Sequence, residues 1–534
     1  MDFDWSNIKV IDGEQFSSDN LDRAKYATYL TSLIKAKGGT DKNNLSNYVL
    51  NLDAEWGAGK TYFLKRWSED LKSNHPVVYI DTWAIDYLES PLMTVLSEII
   101  EQLKSQTDRA DTPKAKAKFK EIIKAAAPRV GSGLMKRYLG FDLDVFDSSQ
   151  TDGANLSNKE IDFSKAGEKV LEIFCKEVTD SKKSVKALKL AIQDWVEYVV
   201  DHPVKNMNTI TNSYPAFIFI DELDRCKPTY AVEMLEAIKH VFDIPGLVFI
   251  VATNTMQLSH TVKAVYGSKF DAEIYLSRFF DNKYYLRSKV SEELLLNHHS
   301  KVTYDLKNLV ERGIILFPYI NFNSKDFLKL CSDVFNEFKI PPRQSIKVLN
   351  RIQLVVSTMR GNTTLDMPLL LCLCTFMEMG QNKLESAIRL FKTAVSSEES
   401  MIYHALGAIK FDFSISSFEN RKIYDHISDQ ELIYESSNNG APAKRNSINQ
   451  ELTLNDYLLN YKRQTTLYGY SGIGYHNEIQ KLIETNRRSS SQSNNRSLID
   501  KLKTKRIHLM FYIFNNDSNF DYYQELVEMS ANLD

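Results

Sequence analysis

Eight residues, Ala54-Glu-Trp-Gly-Ala-Gly-Lys-Thr61, carry the strongest chemistry in the chain. Two closely spaced glycines let a backbone turn tightly and point its N–H groups inward at phosphate oxygens. The lysine that follows can reach β- and γ-phosphates, and the threonine hydroxyl beside it can ligate Mg²⁺. An apolar run precedes these residues and helical spacing follows them, which is the setting a phosphate-binding loop requires. The start of that helix adds its positive end. The candidate triphosphate contacts are therefore Glu55, Trp56, Gly57, Ala58, Gly59, Lys60, Thr61 and Tyr62. Alanine replaces glycine at the first position of the pattern, where a small residue suffices.

A second cluster lies downstream. Phe217-Ile-Phe-Ile-Asp-Glu-Leu-Asp-Arg-Cys226 is an apolar run ending in acids. A carboxylate at the C-terminal end of a parallel strand faces the ligand crevice. Asp221 is placed to hold magnesium through water, and Glu222 to polarise a water for in-line attack on a γ-phosphate. Acids at a helix start, favoured by the macrodipole, are the plainer alternative. Asn254 follows Leu247-Val-Phe-Ile-Val-Ala-Thr253; it could position the attacking water or be a turn asparagine. Cys226 has no histidine near it in sequence and reads as a packing residue.

The elements that must position these groups follow from periodicity. Residues 17–37 read as a helix with N-cap candidates at 17–20. Five apolar runs read as strands: 48–52, 77–80, 216–220, 247–252 and the weaker 283–286. Helical spacing separates them over 60–73, 91–105, 229–243, 257–265 and 271–281. Alternation of this kind implies a parallel sheet covered on both faces, and continuous apolar runs suit strands buried on both sides. Residues 106–213 form a long excursion, lysine-rich at first, polar over 148–155 and helical over 163–200. After 287 the pattern is almost entirely helical to about 435. Two low-complexity stretches, 436–443 and 486–496, cannot bury enough apolar area to order themselves and are expected to be mobile.

Composition bounds the class. The 534 residues carry 66 Lys+Arg and 69 Asp+Glu, a formal net charge of −3, with 43% hydrophobic residues. These values exclude a mostly disordered chain, a collagen-like fibre and a disulfide-stapled mini-protein. The 5 cysteines show no recurring spacing, which favours a reducing cytoplasm. Cys372-x-Cys374 has no second ligand pair and reads as helix packing. The N-terminus, Met1-Asp-Phe-Asp-Trp-Ser, is acidic where a signal would be basic and then apolar. The longest apolar run, 367–377, falls short of the ~20 residues a membrane span needs and reads as a buried helix. Residues 441–510 hold 12 Lys/Arg against 5 Asp/Glu, with Tyr457, Tyr461, Tyr468, Tyr470 and Tyr475 interleaved. Such a window could bind a nucleic-acid strand by charge and stacking, or be a solvated face. His298-His299 lacks further ligands and reads as an ordinary pair.

Taken in order, Asp19-Asn-Leu-Asp-Arg-Ala-Lys-Tyr-Ala27, Glu55–Thr61, Asp81-Thr-Trp-Ala-Ile-Asp86, Ile220–Cys226, Tyr275-Leu-Ser-Arg-Phe-Phe280 and Pro342-Arg-Gln-Ser-Ile-Lys-Val-Leu-Asn350 resemble the KAP family of P-loop NTPases. The resemblance spans about 18–355. It implies an α/β P-loop NTPase parallel sheet of the additional-strand type, order 5-1-4-3-2, with a helical insertion and a helical C-terminal region. The corresponding divisions are 1–105 with 214–287 (core), 106–213 (insertion), 288–435 (helical lid) and 436–534 (C-terminal helices with mobile loops). It implies ATP and Mg²⁺ as cofactors and Glu222, Lys60, Asn254, Arg343 and Arg278 as the catalytic set, with Thr61 and Asp221 on the metal. Among arginines, Arg343 is the first choice for meeting the γ-phosphate and Arg278 the second, each alternatively a surface ion pair; Arg225 could instead pair with Asp224. The family usually has lysine at Arg278 and an acid at Asn254. Many members carry transmembrane helices in the insertion, and none is visible here. Bacterial members often accompany mobile elements and phage-defence systems. The resemblance thus implies a cytoplasmic ATPase switch or motor acting on protein partners from a defence operon, with homo-oligomer formation open. A nucleotide-bound scaffold with little turnover and a nucleic-acid-stimulated ATPase are the alternatives. A guanine-reading Asn/Thr-Lys-x-Asp run is missing at Ala252-Thr-Asn-Thr-Met256, which favours ATP.

Overall fold

In the computed structural model the described residues are 2–130 apart from 88–89, 108–109 and 111; 181–287 apart from 205–211; and 289–531 apart from 300–310, 318–323, 393–398, 416–447, 456 and 459–519. The chain divides into two compact units, Met1–Arg287 and Ser288–Asp534.

The first unit is built on five parallel strands: β1 (Tyr48–Asp53), β2 (Val77–Asp81), β3 (Ala216–Asp221), β4 (Leu247–Thr253) and β5 (Asn282–Tyr285). Their spatial order is β2-β3-β4-β1-β5, the same arrangement as 5-1-4-3-2 read from the other edge. The register sets Phe217 against Val248 and Val248 against Tyr48, so the ends of β3, β4 and β1 finish side by side. Every residue of β1, β3 and β4 is buried, as their unbroken apolar runs require, whereas β5 carries exposed residues at the sheet edge.

Side chains leave successive strand residues on opposite faces. Phe217, Phe219, Val248 and Ile250 pack with Leu30 of α1 (Ala24–Gly38) and with Phe63, Leu64 and Trp67 of α2 (Lys60–Leu71). Ile218, Ile220, Phe249 and Val251 share the opposite core with Leu96 and Ile99 of α3 (Pro91–Lys104). That core also takes Ile122 of α4 (Pro113–Val130), Ile192 and Trp195 of α5 (Ser181–Asp201), Leu235 of α6 (Pro228–His240) and Val262 of α7 (Thr255–Tyr266). The pair α4 and α5 forms the described part of the insertion, closed at its base where Thr107 bridges Pro203. The polar stretch 148–155 lies outside the described residues.

Two departures appear near the N-terminus. Residues Lys9–Ile11 and Glu14–Phe16 pair as an antiparallel hairpin, turning at Asp12 and Gly13, whose φ values are 51° and 81°. The helix expected from residue 17 begins only at Ala24, because Asp22 adopts a left-handed φ of 52° that interrupts any earlier turn.

The second unit contains a core around Met367–Met379, a helix buried from Met367 through Phe376. Cys372 and Cys374 are fully buried in it; desolvation pushes both thiols up, Cys374 to about 12, so they pack as expected. The expectation of an almost wholly helical region is corrected by two strand pairs: Ile315–Phe317 parallel to Thr364–Asp366, and Lys410–Ile415 antiparallel to Ile448–Thr453. The last pair follows a period-two pattern (Phe411, Phe413, Ile415) rather than a helical one. Tyr457 is also corrected as a stacking candidate: it is fully buried, and its hydroxyl donates to Asp366 Oδ2 at 2.6 Å. Tyr461, Tyr468, Tyr470 and Tyr475, and the stretches 436–443 and 486–496, lie outside the described residues.

Candidate active site

The loop between β1 and α2 turns through Gly57 and Gly59, with φ of 79° and 83°. Only glycine adopts these values without strain. Gly59 has a second reason: a Cβ there would lie 2.5 Å from Arg23 Nη1. Lys60 opens α2 and is buried; its Nζ donates to Ala54 O at 2.8 Å and Glu55 O at 3.4 Å. Burial lowers its pKa, opposed by the nearby negative charges of Asp224, Asp221 and Asp53. Tyr62 turns away toward the N-terminal segment, where its hydroxyl donates to Ser17 O at 2.8 Å and its ring meets Trp5 and Phe16.

Asp221 closes β3 with 0% exposure. Its Oδ2 accepts from the Tyr79 hydroxyl at 2.8 Å and its Oδ1 from the Glu222 N–H at 2.9 Å. Burial pushes its pKa up; the Thr61 hydroxyl, these two donors and Lys60 oppose the rise. The structure thus brings Lys60, Thr61 and Asp221 to one place at the C-terminal edge of the sheet.

The acids beyond Asp221 divide their partners in a way spacing did not suggest. Glu222 has a left-handed φ of 58°, and its carboxylate pairs with Arg225 Nη1 at 2.8 Å. Arg225 therefore pairs with Glu222, not Asp224. The Asp224 carboxylate turns to the loop, where Oδ2 accepts from Trp56 Nε1 at 2.5 Å and Oδ1 is buried without a partner. Trp56 itself is half-exposed. Behind these acids stands the 81–86 segment. Thr82 Oγ1 donates to Asp221 O at 2.6 Å, the exposed Trp83 ring lies 5.3 Å from the Arg225 guanidinium, and Asp86 accepts the Lys227 N–H. Cys226 is buried, its thiol raised to about 12 by desolvation, in keeping with a packing role.

Asn254 directly follows β4, the strand between those that lead to Lys60 and Asp221. Its Oδ1 caps α7 by accepting the Gln257 N–H at 3.2 Å, and its amide nitrogen has no hydrogen-bond partner among the described residues. Arg278 is exposed just after the short helix Ala272–Ser277, without an ion pair among the described residues. Arg343 belongs to the second unit, exposed in the first turn of the helix Pro342–Thr358.

Arg23, within the 19–27 motif, also reaches the loop. Arg23 is 2% exposed; Nη1 donates to Gly59 O at 3.1 Å and Nη2 to Ala58 O. Asp19 holds its backbone by accepting the N–H groups of Arg23 and Ala24. The motif at 19–27 marked the segment, but a contact across 36 residues is invisible to spacing.

A profile of the KAP family P-loop domain matches residues 23–308. The chain belongs to the KAP family. Its KAP domain is a P-loop NTPase domain, which supports nucleotide binding. The match begins at Arg23 and takes in the 81–86 segment, the acids after β3 and Asn254. No curated protein matches the chain. Among solved structures it is similar to the Aeropyrum pernix ORC2 protein, in ADPNP and ADP complexes, at 14% identity, TM-score 0.28, covering 92% of this chain and 95% of that one. A likeness that faint carries no argument about the KAP protein. No described helix of it is long and apolar enough to cross a membrane.

Proposed function

We propose that this KAP protein binds ATP with Mg²⁺ and hydrolyses it, using the cycle as a switch or motor on a protein partner. The observation that carries the reading is the buried Asp221 carboxylate facing Thr61 and Lys60 at the strand ends. A carboxylate so deeply buried is stabilised in its charged form by a cation, and a hydroxyl beside a carboxylate is a donor set that fits Mg²⁺. Bound there by Thr61 and, through water, Asp221, the ion would neutralise charge on the β- and γ-phosphates.

The chain's own groups supply the rest. The N–H groups of the 57–61 turn and the Lys60 ammonium hold the phosphates. Glu222 takes a proton from a water, the Asn254 amide orients it, and the oxygen attacks the γ-phosphorus as the bond to the ADP oxygen breaks. ATP is preferred over GTP because the guanine-reading run is missing. A defence role is supported by family resemblance.

The test is turnover and binding together. Lys60→Ala should abolish nucleotide binding and phosphate release. Glu222→Gln should keep ATP binding and lower kcat by at least about 10²-fold, the scale of losing a general base. Wild-type protein that neither binds ATP nor melts higher with it sinks the reading.

The Glu222–Arg225 pair favours a second form of the same proposal, in which basal turnover is slow and a partner raises it. Tight ATP binding with slow release of phosphate would place the protein nearer a nucleotide-bound scaffold.

A further inference from the structure

We propose that Arg23 is a positioning residue for the phosphates: from behind the loop it aims and polarises the two peptide groups that meet them. The proposal rests on the loop's holding a nucleotide, but not on hydrolysis.

The geometry is that of the planar trans peptide, in which C=O and N–H point in opposite directions. Arg23 grips the carbonyls of Ala58 and Gly59. Those carbonyls belong to the peptide groups whose N–H donors are Gly59 and Lys60. Fixing both oxygens to one rigid guanidinium fork therefore turns both N–H groups to the other side, into the turn. A chain of hydrogen bonds also polarises its members, so a charged donor on each carbonyl makes the opposite N–H a stronger donor to an anion.

The electrostatics point the same way. A buried charge is expensive unless it is paired. Arg23 is almost fully buried, makes no ion pair among the described residues and leaves its Nε without a partner. Burial draws its pKa down to about 10, with Asp19 opposing. It stays charged at neutral pH, and the nearby Asp19 carboxylate meets its backbone N–H rather than its guanidinium. Its field is therefore available to a phosphate across the loop. Gly59 completes the arrangement, since any side chain there would collide with the guanidinium. Lysine cannot replace this residue: an ammonium is a point donor, whereas the fork spans two carbonyls at once.

The experiment uses full-length protein carrying Arg23→Lys or Arg23→Ala, with fluorescent ADP and ATP as probes and nucleotide-free melting as the control for folding. Both substitutions should raise the dissociation constants for ADP and ATP together, by about tenfold, the scale of one lost hydrogen bond to a charged group. KM should rise in parallel while kcat stays within about twofold, because the interaction is equal in ground and transition states. Arg23→Lys should not rescue. If Arg23→Ala fails to fold, Arg23→Lys carries the comparison. A folded Arg23→Lys with wild-type affinity overturns the proposal. So does a loss confined to ATP, which would put the arginine on the γ-phosphate instead. Wild-type protein that binds no nucleotide would condemn the functional reading; wild-type binding with indifferent variants condemns only this one.

Discussion

Glu222 lies between opposing influences on its proton affinity. Burial raises its pKa, Arg225 lowers it, and Asp221, Asp81 and Asp224 raise it again. In the proposed role of base, Glu222 works only when ionised, so activity should fall on the acid side as it takes up its proton. Removing Arg225 leaves only the raising influences. In Arg225→Ala the acidic limb of the kcat/KM profile should therefore move to higher pH; a limb that stays put or moves down would detach Arg225 from the base. The motifs themselves were legible at this scale: Lys60, Thr61 and Asp221 converge as their types and order required. The pairing within the acids was not. Glu222 to Arg225 and Asp224 to Trp56 depend on a left-handed residue at 222 and on a loop 168 residues away. Neither leaves a trace in spacing.

At the scale of elements, α2 carries Lys60 at its first residue and is anchored by Trp67, whose indole donates to Thr31 Oγ1 at 2.8 Å and meets the Phe219 ring edge-on at 5.2 Å. Trp67→Ala should cost about 3–5 kcal/mol in denaturant unfolding, the usual range for a buried tryptophan. His75, just before β2, is wholly buried with Nδ1 2.8 Å from Ser213 O, and desolvation lowers its pKa from 6.5 to about 4. Its folded-state pKa lies below the unfolded one. The stability this neutral ring contributes is thus fully present above pH 6.5 and is lost as pH falls toward 4. The loss should approach about 3 kcal/mol, and His75→Gln should flatten that slope in pH-dependent unfolding. Core strands were the easiest elements to read, because unbroken apolar runs such as Phe217–Ile220 have few other uses. The hairpin at 9–16 leaves only a faint trace, the turn signal Asp12-Gly13 between two three-residue strands. The late start of α1 was illegible, since it follows from one φ at Asp22.

For the whole molecule, the division at residue 287 places the nucleotide loop and its acids in one unit and the Met367–Met379 core in the other. A ligand stabilises only what it binds, by RT ln(1 + [L]/Kd). Calorimetry should therefore show nucleotide raising one transition, at 100 Kd by about 2.7 kcal/mol, while the other stays fixed. In Lys60→Ala neither should move. A single transition that shifts as a whole would show the units melting together.

The first residues of the chain are also part of the loop's foundation. Trp5 is buried, its indole donates to Asp70 Oδ2 of α2 at 2.7 Å, and Lys9 reaches the same carboxylate. Anyone attaching an affinity handle there, or trimming residues 2–9 to tidy a preparation, would strip the outer side of the helix that Lys60 opens. Such a sample would misreport a weak binder as the natural protein.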